Sequence, residues 1–236
     1  MTSTRFRAAI VDLDGTMVDT LGDFEVALNR TLMDLDLPPV GRDLVERTVG
    51  KGSEHLIRSV LAHQLALPEQ VEQTHPRTQR SMDMLQELAW ARYQHHYRDI
   101  NGAYSTVYPG VIEGLQQLRQ AGCALACLTN KPLAFARELL AVKALEGHFA
   151  LVFGGDSFAR KKPDPLPLAK TCEALGVSPQ ETLMVGDSSN DAQAAAAAGC
   201  EVILVTYGYN HGQPIRQTPA LAWVDSLAEL GPICGL

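Results

Sequence analysis

AAIVDLDGT, at residues 8–16, is the stretch that decides the fold of this chain. The run from Phe6 to Val11 is apolar and ends in β-branched residues, which predicts a buried strand. That strand runs directly into Asp12 and Asp14. Ligands of open α/β sheets bind at the carboxyl ends of parallel strands, so we expect both acids to face a binding crevice. A solvated turn of Asp and Gly is the simpler alternative.

The spacing of these two acids indicates a chemistry. Alternate residues of an extended chain share a face, so Asp12 and Asp14 can point into one crevice. One carboxylate can accept a phosphoryl group, while the other protonates the leaving oxygen and later takes a proton from water. Two close carboxylates repel each other unless a metal or a shared proton lies between them. Thr16 is expected to cap the turn or to hold Asp14.

Composition limits the classes of function. The chain has 236 residues, of which 46% are hydrophobic, and a net charge of −7. This acidity argues against a nucleic-acid or anionic-membrane partner, and a phosphate site would need local positive charge from a metal and lysines. We expect no membrane span and no signal peptide. Five cysteines without a CxxC pair predict free, mostly buried thiols in a reducing cytoplasm.

Beyond Tyr108 the pattern alternates between strands and helices, which predicts a parallel sheet covered on both faces. We expect strands over 123–128, 150–153, 182–185 and 201–205, and helices over 111–120, 133–141, 166–175 and 191–198. Residues 19–106 differ, because their apolar residues recur at helical spacing. Helices are predicted over 55–65, with Ser53 as N-cap, and over 81–97. This helical insertion should lie over the site as a cap.

Three later strand ends carry polar residues. Thr129 and Asn130 follow one strand, where they can form a phosphate cradle or a simple turn and N-cap. A basic cluster at 160–162 offers Lys162 to a phosphate, with Lys161 as the alternative and a solvated surface charge cluster as the simpler interpretation. Asp187 can supply a Mg²⁺ ligand. Asp191 can bind the metal through water, support Lys162 or cap the helix.

The order DxDGT, Thr-Asn, Lys-Pro and GDxxxD resembles the haloacid dehalogenase superfamily of phosphohydrolases, from residue 6 to about 206. The resemblance implies an α/β fold, with a Rossmann-like doubly wound parallel sheet as core and an inserted α-helical cap. Residues 1–18 and 107–236 would form the core, and residues 19–106 the cap. It also implies Mg²⁺ and an aspartyl-phosphate intermediate.

The resemblance assigns a role to each matching residue. Asp12 would be the nucleophile and a metal ligand, and Asp14 would be the general acid/base and give the metal its backbone carbonyl. Thr129 and Asn130 would bind the phosphoryl group, and Lys162 would neutralise its charge. Asp187 would be a further metal ligand, with Asp191 in support.

Within this superfamily the chain is most similar to phosphoglycolate phosphatases. The similar segments are VDLDGTMVDT at 11–20, TVGKGSEHLIRS at 48–59, YPGV at 108–111, LTNKP at 128–132, FGGD at 153–156 and VTYGYNHG at 205–212. The implied reaction is hydrolysis of a small phosphorylated metabolite, 2-phosphoglycolate, by a monomer or homodimer. Lys51 departs from the family pattern. Its loop precedes a predicted helix N-terminus, so it could read the substrate's carboxylate, or be a solvated lysine.

Other activities of related chemistry stay open. A dehalogenase would need no acid at position 14, and a phosphonatase would need a Schiff-base lysine from the cap, for which Lys51 is the candidate. A sugar phosphomutase shares every core residue named above. A catalytically silent binding module is disfavoured by the intact set of acids.

Overall fold

The computed structural model describes residues 5–67 and 79–234. Its strands are β1 (Ala8–Val11), β2 (Val18–Asp19), β3 (Thr106–Val107), β4 (Ala124–Leu128), β5 (Leu151–Phe153), β6 (Thr182–Gly186), β7 (Glu201–Val205) and β8 (Ala222–Val224). Six of them form a sheet in the order β5-β4-β1-β6-β7-β8, and every pairing within it is parallel. The predicted α/β class and parallel sheet are confirmed.

Helices cover both faces of this sheet. The helices are α1 (Leu21–Asp34), α2 (Arg42–Thr48), α3 (Ser53–Leu65), α4 (Gln79–Ile100), α5 (Val111–Gln120), α6 (Leu133–Val142), α7 (Leu166–Leu175), α8 (Ser189–Ala198) and α9 (Leu230–Cys234). Ala9 and Val11 of β1 pack into one apolar cluster, whereas Ile10 packs into another with Ala194 and Ala195 of α8. This alternation shows that β1 is buried on both faces.

Helices α1 to α4, which we call the cap, form a third apolar cluster that also includes Phe135 and Tyr209. The short antiparallel pair of β2 and β3 lies where the chain enters and leaves these helices. The buried carboxylate of Asp23 accepts hydrogen bonds from the backbone N–H groups of Gly102 (2.9 Å) and Tyr104 (2.7 Å). It thereby ties the start of the cap to its end. The division at residues 19–106 stays a prediction.

Several boundaries differ from the sequence-based expectation. β1 begins at Ala8 rather than Phe6, and β2 and β3 flank a segment in which no strand was predicted. Ser53 is not an N-cap but the first residue of α3, and Gly52 caps the helix with φ of +91°. A glycine adopts this φ without the steric cost of a Cβ, which lets the loop turn sharply into the helix.

Two further expectations concern the whole chain. All five cysteines are buried and free, as predicted. Within the part of the chain that the structure describes, no helix is both long enough and apolar enough to cross a bilayer.

Candidate active site

Three neighbouring strands bring the predicted residues together. β1 lies between β4 and β6, and the chain continues from these strands into Asp12, Thr129 and Asp187. Because the strands are parallel, these residues meet at one edge of the sheet. A cavity of about 30 Å³ lies there, between the strand ends and the cap. Its lining consists of Asp12, Asp14, Phe24, Val49, Gly50, Gly52, Ser53, Leu56, Thr129, Asn130, Lys131, Asp187, Ser188 and Tyr209.

Three buried carboxylates form a cluster beside this cavity. One oxygen from each of Asp12, Asp187 and Asp191 lies within 4.8 Å of the other two. Burial raises the pKa of Asp12 to about 7, against the opposing charge of Lys162. Burial, together with the charges of Asp191 and Asp12, also raises the pKa of Asp187. Hard carboxylate oxygens that the protein leaves incompletely neutralised fit a hard divalent cation such as Mg²⁺.

Lys162 is the basic residue that reaches the cluster. Its Nζ lies 3.0 Å from Asp12 Oδ2 and donates hydrogen bonds to Asp191 Oδ1 (2.7 Å) and to the carbonyl of Leu128 (2.9 Å). Burial alone would lower the pKa of Lys162, but Asp12 and Asp191 raise it overall. Lys161, the alternative candidate, instead lies 3.8 Å from Glu54 of the cap.

Asp191 serves two structural purposes. Its Oδ2 accepts hydrogen bonds from the N–H (3.1 Å) and the hydroxyl (2.8 Å) of Ser188, which forms a capping box at the start of α8. Its Oδ1 holds Lys162. Asp12 and Asp187 line the cavity and Asp191 does not, so Asp12 and Asp187 are the better placed direct ligands of a metal.

Asp187 is held from two sides. Its Oδ1 accepts a hydrogen bond from the hydroxyl of Thr16 (3.0 Å), and its Oδ2 accepts one from the N–H of Tyr209 (2.6 Å). Of the two roles expected for Thr16, capping the turn or holding Asp14, the second is not what its hydroxyl does here, because it binds Asp187. Gly15 has φ of +81°, and a Cβ at this position would lie 2.3 Å from Asp187 Oδ2. Only glycine lets the β1 loop pass so close to the carboxylate.

Asp14 contacts Lys131, a lysine of the LTNKP segment to which the sequence assigned no role. The ammonium of Lys131 donates to Asp14 Oδ1 (2.9 Å) and to the hydroxyl of Tyr97 (2.5 Å) in the cap. It also lies 4.7 Å from the ring centroids of Phe24 and Tyr97. The side chain of Lys131 is only 1% exposed. A cation from the core is thus enclosed by cap aromatics and the second acid of the motif.

Thr129 and Asn130 both line the cavity, but the side chain of Asn130 is fully engaged. Its Oδ1 accepts from the N–H of Lys162 (3.0 Å), and its Nδ2 donates to the carbonyls of Lys162 (2.9 Å) and Gly50 (3.1 Å). Any contact of Asn130 with a phosphoryl group must therefore come from its backbone. Its amide instead joins the lysine loop to the cap.

The cap loop at residues 49–52 touches the site through its backbone. The carbonyl of Gly50 accepts hydrogen bonds from Asn130 and from Asn190, each 3.1 Å long. The Lys51 side chain is exposed and is absent from the described residues that line the cavity. Burial lowers the pKa of His211, and the positive charge of Lys51 lowers it further. The role of Lys51 in substrate recognition stays a prediction.

Comparison with known proteins places the chain in a family. Residues 9–205 match the family model described as haloacid dehalogenase-like hydrolase. The chain belongs to this haloacid dehalogenase-like hydrolase family. Its relatives include the phosphoglycolate phosphatase of Thiobacillus denitrificans, which is 38% identical and matches over 94% of this chain and 93% of the relative. A plasmid-encoded phosphoglycolate phosphatase of Cupriavidus necator is 41% identical, and the match covers 94% of this chain and 90% of that relative.

A solved structure shares this fold over nearly its whole length. The crystal structure of a predicted phosphoglycolate phosphatase from Haemophilus somnus superposes with a TM-score of 0.87 at 32% identity, and covers 98% of each chain. The family resemblance inferred from the motif order is thereby confirmed.

Proposed function

We propose that this protein is a Mg²⁺-dependent phosphomonoesterase that hydrolyses 2-phosphoglycolate to glycolate and phosphate. The observation that carries the proposal is the meeting of Asp12, Asp14 and Asp187 around one cavity, with Lys162 3.0 Å from Asp12. The curated relatives named for this activity support the class of reaction, hydrolysis of a phosphoric monoester.

The arrangement supports a two-step reaction. Asp12 attacks the phosphorus, and the P–O bond to the leaving group breaks as an aspartyl phosphate forms. Asp14 donates a proton to the leaving alkoxide oxygen, and then takes one from the water that hydrolyses the acyl phosphate. Each step breaks one P–O bond and forms another, so neither needs an oxidant or a reductant, and Asp12 returns to its starting state.

Positive charge must offset the phosphoryl oxygens during both steps. Lys162 is fixed beside Asp12 by Asp191 and by the Leu128 carbonyl, so its ammonium can stabilise those oxygens without reorganising. A Mg²⁺ ion held by Asp12, Asp187 and the backbone carbonyl of Asp14 would supply further Lewis-acid stabilisation. Thr129 and the Asn130 N–H complete the expected cradle of the phosphoryl group.

Enclosure by the cap favours a small leaving group. The cavity of about 30 Å³ is bounded by Phe24, Leu56 and Tyr209 as well as by the acids. A glycolate leaving group is compact and needs less of this space than the phosphorylated sugar of a phosphomutase. We also propose a cytoplasmic monomer or homodimer, in keeping with the free thiols.

A phosphate-release assay over some tens of metabolite phosphates, with and without Mg²⁺, tests the proposal. We expect 2-phosphoglycolate to give the highest kcat/KM, and chelation of the metal to abolish turnover. Asp12→Asn serves as the control for contaminating phosphatases. Full turnover in chelator would contradict the role of the metal. A clear preference for a sugar phosphate would contradict 2-phosphoglycolate as the substrate.

A further inference from the structure

Lys131 is a buried cation for which the phosphoryl chemistry has no use. Lys162 already serves the phosphoryl side, because it contacts Asp12 and Asp191. Lys131 also lines the cavity, but it stands beside Asp14, on the side where the leaving group departs. A buried ammonium is costly unless it is paired, so a second lysine enclosed here calls for an explanation.

The ammonium has a donor to spare. A lysine carries three N–H donors, and among the described residues two acceptors lie within hydrogen-bond distance of Lys131: Asp14 Oδ1 and the Tyr97 hydroxyl. The rings of Phe24 and Tyr97 lie against the same ammonium and stabilise its charge without accepting a full hydrogen bond. One N–H is therefore left for a ligand in the cavity.

Distance fixes what this ligand can be. To protonate the leaving oxygen, Asp14 must come within hydrogen-bond distance of it. Lys131 Nζ is 2.9 Å from Asp14 Oδ1, so it lies within about 6 Å, or two hydrogen-bond lengths, of a leaving oxygen that Oδ1 protonates, and within about 8 Å of one that Oδ2 protonates. A carboxylate joined to the ester oxygen through one CH₂ group places its own oxygens about 3 Å from it by ordinary bond lengths. Such a carboxylate falls within reach of Lys131.

We propose that Lys131 binds the carboxylate of the substrate's leaving group and selects phosphate esters of small 2-hydroxy acids. The inference rests on the proposed function and deepens it. Lys131, and not the exposed Lys51, becomes the residue that reads the carboxylate. The subsite is complete only with the cap in place, because Phe24 and Tyr97 belong to α1 and α4.

A pair of substrates tests this assignment. The first is 2-phosphoglycolate, and the second is the phosphate ester of glycolamide, which has the same shape but a neutral amide. In Lys131→Met, kcat/KM for 2-phosphoglycolate should fall roughly 10- to 100-fold, chiefly through KM, which is the scale of one charge-assisted hydrogen bond. The glycolamide ester should lose less, because any loss through the contact of Lys131 with Asp14 is shared by both substrates; the ratio of the two kcat/KM values should therefore fall roughly tenfold or more. Lys170→Met, at an exposed lysine of α7, is the matched control and should change neither.

A second variant guards against misfolding. Lys131→Gln keeps a neutral donor for Asp14 and should lose the preference for the carboxylate to a similar extent, with circular dichroism confirming the fold of both variants. An equal loss for both substrates would mean that Lys131 acts only on Asp14, and would overturn the inference. So would an intact preference in the variants, or its collapse in Lys51→Ala instead. If the wild-type protein itself shows no preference for 2-phosphoglycolate, the proposed function fails, and this inference with it.

Discussion

Asp12 and Asp187 carry charges that the folded chain does not neutralise by itself. Burial raises the pKa of both, to about 7 for Asp12, although Lys162 stands 3.0 Å from Asp12. A carboxyl group must be ionised to bind a hard cation, so protons and Mg²⁺ compete for the same oxygens. A bound Mg²⁺ would therefore stabilise the ionised forms of Asp12 and Asp187, which burial in the protein disfavours.

This competition predicts a pH-dependent affinity for Mg²⁺. Above about pH 7, Asp12 is ionised, so its titration should no longer make the affinity for Mg²⁺ change with pH. Below pH 7, each unit should weaken Mg²⁺ binding by up to about tenfold, because a proton must leave before the metal binds. Titration calorimetry at several pH values measures the dependence and the protons released. An affinity that stays constant from pH 5.5 to 8 would contradict the raised pKa of Asp12.

At the residue scale, the sequence reveals functional groups at strand ends and misses contacts between distant segments of the chain. Asp12 and Asp187 could be found because each comes directly after a buried apolar run. No role was predicted for Lys131, because its role depends on a contact with Tyr97, which lies in a different element of the fold. The amide of Asn130 was expected at the phosphoryl group, yet it binds the cap carbonyl of Gly50, 80 positions away in the chain.

At the scale of elements, the loop between α2 and α3 is the point where cap and core meet over the cavity. Two core amides, from Asn130 and Asn190, converge on the carbonyl of Gly50. Gly50 has φ of +99°, and a Cβ there would lie 3.0 Å from the ring of His211. These contacts hold the loop against the strand ends, so they should favour the closed position of the cap.

Loss of one of these amides should weaken closure. Asn190→Ala removes a hydrogen bond whose net contribution is about 0.5–1.5 kcal/mol, so kcat/KM for 2-phosphoglycolate should fall roughly two- to tenfold. Asn29→Ala is the control, because Asn29 bonds to the backbone of Val40 within the cap and makes no described contact with the cavity. Steady-state kinetics compares the two. Equal losses would show that general destabilisation, and not the contact between loop and core, is measured.

The elements also show what the sequence pattern can and cannot reveal. The predicted helices of the core were found because they are ten residues long and carry a regular apolar face or a glycine at their end. β2 and β3 are two residues each, too short for an alternating pattern to be visible. Their strand geometry comes from partners elsewhere in the chain, such as Val107 for Val18.

At the scale of the whole molecule, the acid cluster links the site to stability. The pKa of Asp12 is raised from 3.8 to about 7 in the folded protein, so ionisation of this group is less favourable there than in the unfolded chain. Without metal, its contribution to stability is full below about pH 4 and is lost as pH rises to about 7. The metal should reverse that loss, because it binds the folded state.

We therefore predict that Asp12→Asn stabilises the metal-free protein at pH 8. The gain should be at most a few kcal/mol, or several degrees in Tm for a chain of this size. It should vanish near pH 4, where the wild-type carboxyl is neutral. In excess Mg²⁺ the order should invert, since only the wild-type protein gains the full metal affinity. Thermal unfolding in chelator and in Mg²⁺ measures all three, and a variant less stable than wild type in chelator at pH 8 would refute the prediction.

The central claim is that Asp12 itself carries the phosphoryl group. Rapid acid quench of the enzyme during turnover of 2-phosphoglycolate, followed by proteolysis and mass spectrometry, tests it most directly. We predict a phosphorylated peptide whose modification maps to Asp12 in the wild-type protein and is absent in Asp12→Asn. Continued turnover with no phosphoryl group on Asp12 at any quench time, or turnover by Asp12→Asn within tenfold of wild type, would contradict the account.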